Sequence, residues 1–202
     1  MLAVIDYGAG NLRSVLHALK HLGVRDMQLV QDPDQLRGAN KIILPGVGAF
    51  GAGMAQMRAQ KLVAPLKAAL ENGIPYLGIC VGMQILYEVG EEMGEHAGMG
   101  ILGGRVVRFP NFAERKAPHM GCNQLNIREQ SGLLAGLDEL SYAYFVHSYY
   151  CAPSECDTVI SSVDYGIEFA AIVRRENIYG VQFHPEKSQS TGLRILSNFL
   201  RL

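Results

Sequence analysis

Residues 74–87 read IPYLGICVGMQILY, with one cysteine between two apolar runs. The first run predicts a buried strand, and the second predicts a helix that begins just behind Cys80. Gly78 and Gly82, two residues to either side of the thiol, indicate a sharp turn that passes close to its surroundings. Cys80 is therefore predicted at the carboxyl end of a strand, where open α/β sheets place their ligands.

Strands and helices alternate on both sides of this segment through the first half of the chain. Strands are predicted over 2–6, 27–30, 41–44 and 76–79, and helices over 12–22, over 54–72 and from 83 to 89. Asn11 is expected to cap the first helix and Gly23 to close it, Pro45 to end the third strand, and Pro65 to mark a break in the second helix. This alternation predicts a parallel sheet with helices on its faces.

The second half is predicted mostly as strand, which makes the sheet mixed. Six candidates occupy 105–109, 123–127, 142–146, 158–163, 169–173 and 178–183, and a hairpin turn at 174–177 joins the last two. A final amphipathic helix is predicted over 191–200. We expect residues 1–202 to form a single α/β domain with an open, mixed, largely parallel sheet and helices on both faces.

Composition argues against several classes of function. The chain has 202 residues, 49% hydrophobic and 18% charged, with a formal net charge of −1, so no nucleic acid or anionic membrane is expected as a partner. The N-terminus has no basic head and meets Asp6 almost at once, so no signal peptide is predicted. The cysteines form no CxxC pair, which favours reduced thiols in a cytoplasmic protein; they are Cys80, Cys122, Cys151 and Cys156.

The Gly-x-Cys-x-Gly pattern is the thiol version of a nucleophile elbow. In that turn the nucleophile projects from a tight corner between a strand and a helix. The N-terminus of the helix behind Cys80 is expected to favour the thiolate through its dipole. The alternative is an inert, buried cysteine in a glycine-rich turn.

A nucleophilic cysteine needs a base, and His184 is the best candidate. It lies in VQFHPEKS (181–188) at the end of the last apolar strand, and Glu186 follows two residues later. Pro185 favours extended geometry at His184, so the imidazole and the carboxylate are expected side by side, as a general base and its acidic partner require. The alternative is an exposed His and Glu at a strand end. His17 and His21 are four residues apart on the first helix, but a surface position is favoured over a metal site.

The third element is PGVGAFG at residues 45–51, directly after a predicted strand. Its glycines leave backbone N–H groups free to face an anion, as in an oxyanion hole or a phosphate cradle. No Gly-Lys-Ser/Thr follows, which disfavours a nucleotide triphosphate site, and the GxGxxG match alone is weak. A plain glycine-rich loop is the alternative.

An elbow cysteine, a glycine loop and a late His-Pro-Glu together predict acyl transfer through a thioester. PGVG, GICVGMQ and HPE in this order resemble the class I (triad) glutamine amidotransferases, which have a flavodoxin-like fold. IDYGAGNLRSV (5–15), PHMGCN (118–123) and YFVHSYY (144–150) resemble the branch of that family that forms the glutaminase subunits of imidazole glycerol phosphate synthases. The resemblance covers essentially the whole chain, and no cofactor or metal is expected.

The resemblance implies a role for each matching residue. Cys80 would attack the side-chain amide of glutamine, His184 would transfer the proton, and Glu186 would hold the imidazole. The amide of Val81 and one donor from Gly46, Val47 or Gly48 would face the oxyanion. Four further residues would bind the amino-acid end of the substrate: Gln84, Glu92, Ser148 and Tyr149.

Gln84 and Glu92 are expected one and three turns into the helix behind Cys80, with Gln84 on the same helical face as the thiol. On local grounds Glu92, which lies in a run of acids, fits a solvent-facing position equally well.

The resemblance also implies a partner. In the family this is a cyclase subunit with a (β/α)₈ barrel, to which ammonia passes to form imidazole glycerol phosphate and an aminoimidazole carboxamide ribonucleotide (AICAR) in histidine biosynthesis. Asn11, Met120, Tyr144 and Lys187 match the docking side. Cys122 is a departure, because the family usually has Trp there, and this chain has none.

Three alternative functions remain open at this point. One is the glutaminase subunit of another synthase. The second is an esterase or peptidase with an elbow thiol, although such enzymes ordinarily run nucleophile, acid, histidine along the chain. The third is a non-catalytic binding module that keeps the fold, against which an intact Cys80, His184 and Glu186 weigh.

Overall fold

The structure is a computed structural model that describes residues 1–111, 116–130 and 132–202. Its α-helices are α1 (Leu12–His21), α2 (Phe50–Ala59), α3 (Val63–Glu71), α4 (Val81–Gln84) and α5 (Gln189–Arg201). Its strands are β1 (Leu2–Ile5), β2 (Met27–Val30), β3 (Lys41–Gly46), β4 (Tyr76–Cys80), β5 (Tyr87–Gly90), β6 (His96–Ala97), β7 (Leu102–Arg108), β8 (His119–Gln124), β9 (Asn126–Ile127), β10 (Tyr142–His147), β11 (Tyr149–Pro153), β12 (Val159–Asp164), β13 (Glu168–Arg175) and β14 (Ile178–Val181).

The main sheet has eight strands in the order β2-β1-β3-β4-β14-β13-β12-β9. The first five strands run parallel, and the last three pair antiparallel with their neighbours. Every residue of β1 and β4 is buried, as expected for strands that are covered on both faces. The predicted α/β class with an open, mixed, largely parallel sheet is confirmed.

Helices cover the two faces because the chain moves across the sheet in two directions. From β1 it passes through α1 to β2 on one side, whereas from β3 it passes through α2 and α3 to β4 on the other. Right-handed crossovers in opposite directions place their helices on opposite faces. Helix α1 begins after Asn11, so the predicted N-cap position is confirmed, but the Asn11 side chain makes no capping hydrogen bond. Gly23, whose φ of +84° only glycine adopts readily, closes the helix as predicted.

Two smaller sheets lie beside the main one, with the orders β11-β7-β5-β6 and β10-β8. The predicted helix over 83–89 is wrong: the helical turn ends at Gln84 and the chain enters β5. Pairing of β5 with β7 overrides the apolar periodicity of this segment. Strands β6 and β11 were also not predicted.

The secondary structure differs from the prediction at two prolines. Strand β3 does not end at Pro45 but continues to Gly46. Strand β1 pairs with β3 only as far as Ile43, so at Pro45 the neighbour that still pairs with β3 is β4, and a proline without an N–H is tolerated there. The predicted helix over 54–72 is two helices, interrupted before Pro65 at Lys61, where φ is +56°. Pro65 lies in the first turn of α3, where its missing N–H has no helical partner to lose.

Among the described residues, no helix is both long and apolar enough to cross a membrane.

Candidate active site

Three adjacent parallel strands bring the three predicted segments to one edge of the sheet. Strand β4 lies between β3 and β14, with Gly46 opposite Cys80 and Val181 opposite Ile79. The PGVG loop, the elbow and the HPE segment therefore leave the sheet side by side. Carboxyl ends of parallel strands are where this class of fold binds ligands.

The backbone turns sharply at Cys80, as the glycine pattern predicts. Its φ of +55° is a strained conformation for a residue with a side chain. A Cβ on Gly78 would lie 2.2 Å from the carbonyl oxygen of Gly82, and one on Gly82 would lie 1.9 Å from that of Leu44. Both glycines are thus required sterically. Helix α4 has only four residues, so the predicted contribution of its dipole is small.

His184 joins the thiol to a buried carboxylate. Its Nδ1 lies 2.9 Å from Oε1 of Glu186, and the two side chains are 3% and 1% exposed. Burial lowers the pKa of His184, but hydrogen bonds and charge interactions with Cys80 and Glu186 outweigh it and raise that pKa to about 9. The predicted juxtaposition of imidazole and carboxylate is confirmed, with His184 extended and residues 185–187 in a 3₁₀ turn.

The glycine loop contributes both backbone and close packing. Val47 and Gly48 line the same cavity as Cys80 and Val81, and Gly48 has a φ of +92°. Gly46 lies behind them, where a Cβ would come within 2.5 Å of the hydroxyl of Tyr7. The loop therefore brings peptide groups next to the thiol, and no side chain fits at Gly46.

The thiol opens into a cavity of about 390 Å³, a volume suited to one small polar molecule. All four residues predicted to bind the substrate line it, namely Gln84, Glu92, Ser148 and Tyr149. Nε2 of Gln84 donates to the carbonyl oxygen of Tyr149 at 3.1 Å and to Oε1 of Gln182 at 3.2 Å. The site is thus a pocket with a nucleophile, a base and several polar groups at one end.

Glu92 does not lie on the helix behind Cys80, so that part of the prediction is wrong. It follows β5, and its carboxylate reaches the pocket by accepting a hydrogen bond from the backbone N–H of Phe50, at 2.9 Å. Phe50 is the first residue of α2, so the carboxylate also satisfies a helix N-terminus. Glu92 is half-buried rather than solvent-facing.

Comparison with known proteins now identifies the family. Residues 3–202 match the family model described as glutamine amidotransferase class-I. The chain belongs to the class I glutamine amidotransferases. It is 51% identical to the imidazole glycerol phosphate synthase subunit HisH of Desulfitobacterium hafniense (strain Y51) over 98% of this chain and 93% of that protein. The same named subunit from Syntrophotalea carbinolica is 46% identical over 98% of each chain.

Solved structures share the fold. PurLQS from Thermotoga maritima superposes with a TM-score of 0.77 at 21% identity and covers 99% of this chain and 97% of that one. At that identity the likeness concerns the fold alone.

The residues predicted for partner docking do not themselves line the amidotransferase pocket, but Met120 and Tyr144 each lie two residues from one that does, Pro118 and Val146. Met120 is 63% exposed, and Nζ of Lys187 lies 5.6 Å from the centre of the Tyr144 ring. Asn11 directly precedes α1, which packs against the 3₁₀ turn at residues 185–187, and the side chain of Asn11 accepts a hydrogen bond from Ser14. Cys122 is exposed and pairs across β8–β10 with Tyr144.

Sequence reasoning missed two buried histidines beside the pocket. His119 is buried in β8, and its Nδ1 lies 3.3 Å from Nε2 of His147. His147 lines the pocket and bonds through Nδ1 to the carbonyl oxygen of Tyr149 at 2.9 Å. The alternation Ala143, Phe145, His147 in β10, all buried, is the signal that could have placed His147 inside.

The remaining histidines do not enter the pocket. His17 and His21 are exposed on α1, as the surface interpretation predicts. In the described part of the chain, no group of His, Cys, Asp and Glu is arranged to hold a metal ion.

Proposed function

We propose that this chain is the glutaminase subunit of an imidazole glycerol phosphate synthase and that it hydrolyses glutamine to glutamate and ammonia. The observation that carries the proposal is the hydrogen-bonded line of Cys80, His184 and Glu186 at the end of a pocket sized for one amino acid. The names of its relatives support this assignment over other synthases. We further propose that residues 1–202 form one amidotransferase domain.

The reaction begins from the ion pair in which His184 already holds the proton of Cys80. The thiolate attacks the side-chain amide carbon of glutamine and forms a carbon–sulfur bond, and the carbonyl oxygen becomes an oxyanion. The carbon–nitrogen bond then breaks as His184 protonates the leaving amine, which departs as ammonia. Water, deprotonated by His184, attacks the thioester and releases glutamate and the free thiol. Glu186 holds the imidazole by accepting from Nδ1 throughout.

Backbone amides next to the thiol serve the oxyanion. Val81 follows Cys80 at the start of α4, and the peptides of Val47 and Gly48 line the pocket opposite it. Fixed N–H donors directed at a developing negative charge are worth several kcal/mol in such reactions. We assign one donor to Val81 and the second to the segment from Gly46 to Gly48.

Other polar residues that line the pocket suit the charged amino-acid end of glutamine. The carboxylate of Glu92 and the side-chain oxygen of Gln84 are acceptors for its ammonium group, because both N–H groups of Gln84 are already engaged. Ser148 and Tyr149 line the same pocket, and we assign the binding of the glutamine carboxylate to this segment.

The partner we propose is a cyclase subunit with a (β/α)₈ barrel, which forms a heterodimer with this chain and takes up the ammonia. It makes imidazole glycerol phosphate and AICAR in histidine biosynthesis. The outward face of the β8–β10 sheet supports docking, because it carries a row of side chains with apolar bodies. Tyr142, Tyr144 and Val146 alternate along β10, and Met120 on β8 lies opposite Val146. Asn11 and Lys187 extend this surface. Four free cysteines fit a cytoplasmic location.

The test is a steady-state assay of glutamine hydrolysis, alone and with the cyclase and its ligand. We expect slow hydrolysis by the isolated chain, strong acceleration in the complex, and none above background for Cys80→Ala. Full activity without the partner would refute the coupling, and unchanged activity of Cys80→Ala would refute the thioester. A glutamine-like electrophile should label Cys80 by mass spectrometry; no labelling together with ester turnover would favour a different hydrolase.

A further inference from the structure

The side-chain amide of Gln182 lies between two residues of the pocket. Gln182 follows β14, two residues before His184, and is fully buried. Its Nε2 lies 3.7 Å from the sulfur of Cys80, within hydrogen-bonding range for sulfur, and its Oε1 accepts from Gln84 at 3.2 Å. A buried amide with both ends engaged fixes its neighbours as well as itself.

The direction of these hydrogen bonds follows from one backbone carbonyl. The oxygen of Tyr149 can only accept, so the atom of Gln84 that lies 3.1 Å from it is the amide nitrogen. The same nitrogen contacts Gln182, so the atom it meets there is the amide oxygen. The nitrogen of Gln182 must then face Cys80. The series of hydrogen bonds that links Tyr149, Gln84 and Gln182 therefore ends with an N–H directed at the sulfur.

Other titratable groups near the sulfur do not replace this donor. Tyr7 and Cys151 also lie near Cys80, and burial followed by its charge raises their pKa values. The Tyr7 hydroxyl, however, makes no hydrogen bond to any of the described residues. Glu92 lines the pocket as an acceptor, and Glu186 acts through His184. Within the described part of the chain, His184 and Gln182 are the side chains that hydrogen-bond to the sulfur.

We propose that Gln182 is a positioning residue, which donates an N–H to the sulfur of Cys80, aims it into the pocket and stabilises its charged form. Through Gln84 the same amide connects the nucleophile to Tyr149, in the segment that the proposed function assigns to the carboxylate of the substrate. The significance of the contact for catalysis rests on that proposed function, but the contact itself does not.

The test measures alkylation of Cys80 by iodoacetamide between pH 5 and 9, resolved by site with mass spectrometry. Gln182→Met keeps the volume and loses the donor, so we expect the rate at Cys80 to fall about fivefold at neutral pH. Gln182→Glu turns an acceptor toward the sulfur. We therefore expect the alkylation rate at Cys80 to fall about tenfold or more, and the pH profile of that rate to move to higher pH. With glutamine, kcat should fall in the same order and KM should change less.

Two controls separate this role from a general loss of structure. Cys122 is exposed, so its alkylation rate measures the reactivity of the iodoacetamide in every sample. Ser161→Ala removes an equally buried hydroxyl, in β12, that has no hydrogen-bond partner among the described residues, and it should leave the profile of Cys80 unchanged. Alkylation needs no turnover, so a chain without glutaminase activity would still give an answer about Gln182.

Wild-type alkylation rates and profiles in both variants, at wild-type melting temperature, would overturn the proposal. If neither variant folds, Gln182→Asn keeps the amide on a side chain shorter by one methylene and draws it back from the sulfur. We expect it to lose about two- to threefold in alkylation rate. A wild-type rate in that variant would overturn the proposal equally.

Discussion

Two histidines in one pocket have pKa values shifted in opposite directions. Burial acts on both and favours the neutral ring. His184 also bonds to Cys80 and Glu186, and its pKa rises to about 9. For His147, burial lowers the pKa to about 3; its bond to the Tyr149 carbonyl opposes this, and the neighbouring His119 and His184 add to it. At neutral pH the fold therefore maintains one charged imidazole and one neutral imidazole side by side.

Replacing the carboxylate of Glu186 should weaken the base without removing it. In Glu186→Gln the charge that helps to raise the pKa of His184 is lost, so that pKa should fall from about 9. We expect kcat for glutamine hydrolysis to drop about 100-fold or more. Imidazole titration by NMR and steady-state kinetics measure the two effects, and an unchanged titration of His184 would contradict the assignment.

The neutral state of His147 should make the fold sensitive to acid. Below pH 6.5 the unfolded chain binds a proton at this residue that the folded chain does not bind until about pH 3, so stability falls as pH falls through that window. The slope is at most about 1.4 kcal/mol per pH unit. We expect His147→Gln to flatten it in urea unfolding between pH 4.5 and 7, and exposed His17→Gln to leave it unchanged. Equal slopes in all three proteins would refute this.

At the scale of elements, the turn at Cys80 depends on packing between backbones. The peptides around Gly78 and Gly82 are in direct contact, and β3 passes so close that its Leu44 carbonyl occupies the position of a Gly82 side chain. The strained φ of Cys80 persists because these neighbours leave the chain no other path.

A methyl group at Gly82 should therefore disrupt the elbow. We expect Gly82→Ala to lower the free energy of unfolding by about 3 kcal/mol or more, because neighbouring backbone must move. Gly53→Ala is the matched control, since in α2 its Cβ would first meet a side-chain methyl of Val81 at 3.3 Å. We expect it to change stability by less than about 1 kcal/mol. Similar losses in both variants by chemical denaturation would contradict the steric account.

Local patterns predict most elements of the main sheet but not all of the smaller ones. The single strand predicted over 123–127 is divided between β8 and β9, which lie in different sheets. Strands β1, β2 and β4, the β13–β14 hairpin and the closing glycine of α1 follow from apolar runs and turn residues. Strand β5 does not, because Ile85–Val89 has helical spacing and becomes a strand only where β7 pairs with it. The sequence predicts the proposed roles of Cys80, His184 and Glu186 for the same reason, because these residues lie in local motifs. Gln182 was missed because its partner is 102 residues away.

At the scale of the whole molecule, the pocket and the proposed docking surface are continuous. Val146 and Pro118 line the pocket, and the exposed Met120 lies next to both, opposite Val146 on β8. A partner seated on the β8–β10 face would therefore cover the pocket and exclude water from it.

A charge on that face should weaken the complex. We expect Met120→Asp to lower the affinity for the cyclase about 10- to 100-fold, because binding would bury an unpaired carboxylate. Leu202→Asp, at a 45% exposed apolar residue after α5, is the matched control and should bind as the wild type does. Isothermal titration calorimetry measures both, and equal affinities would remove this face from the interface.

The place of β14 in the sheet also affects when activity can begin during synthesis. Cys80 leaves the ribosome long before His184, and β14 must insert between β4 and β13 before thiol and imidazole can meet. Such long-range parallel pairing forms late. A nascent chain with the elbow already folded thus has a thiol without its base. Under the proposed function, a nascent polypeptide in which β14 has not yet paired with β4 leaves cellular glutamine intact.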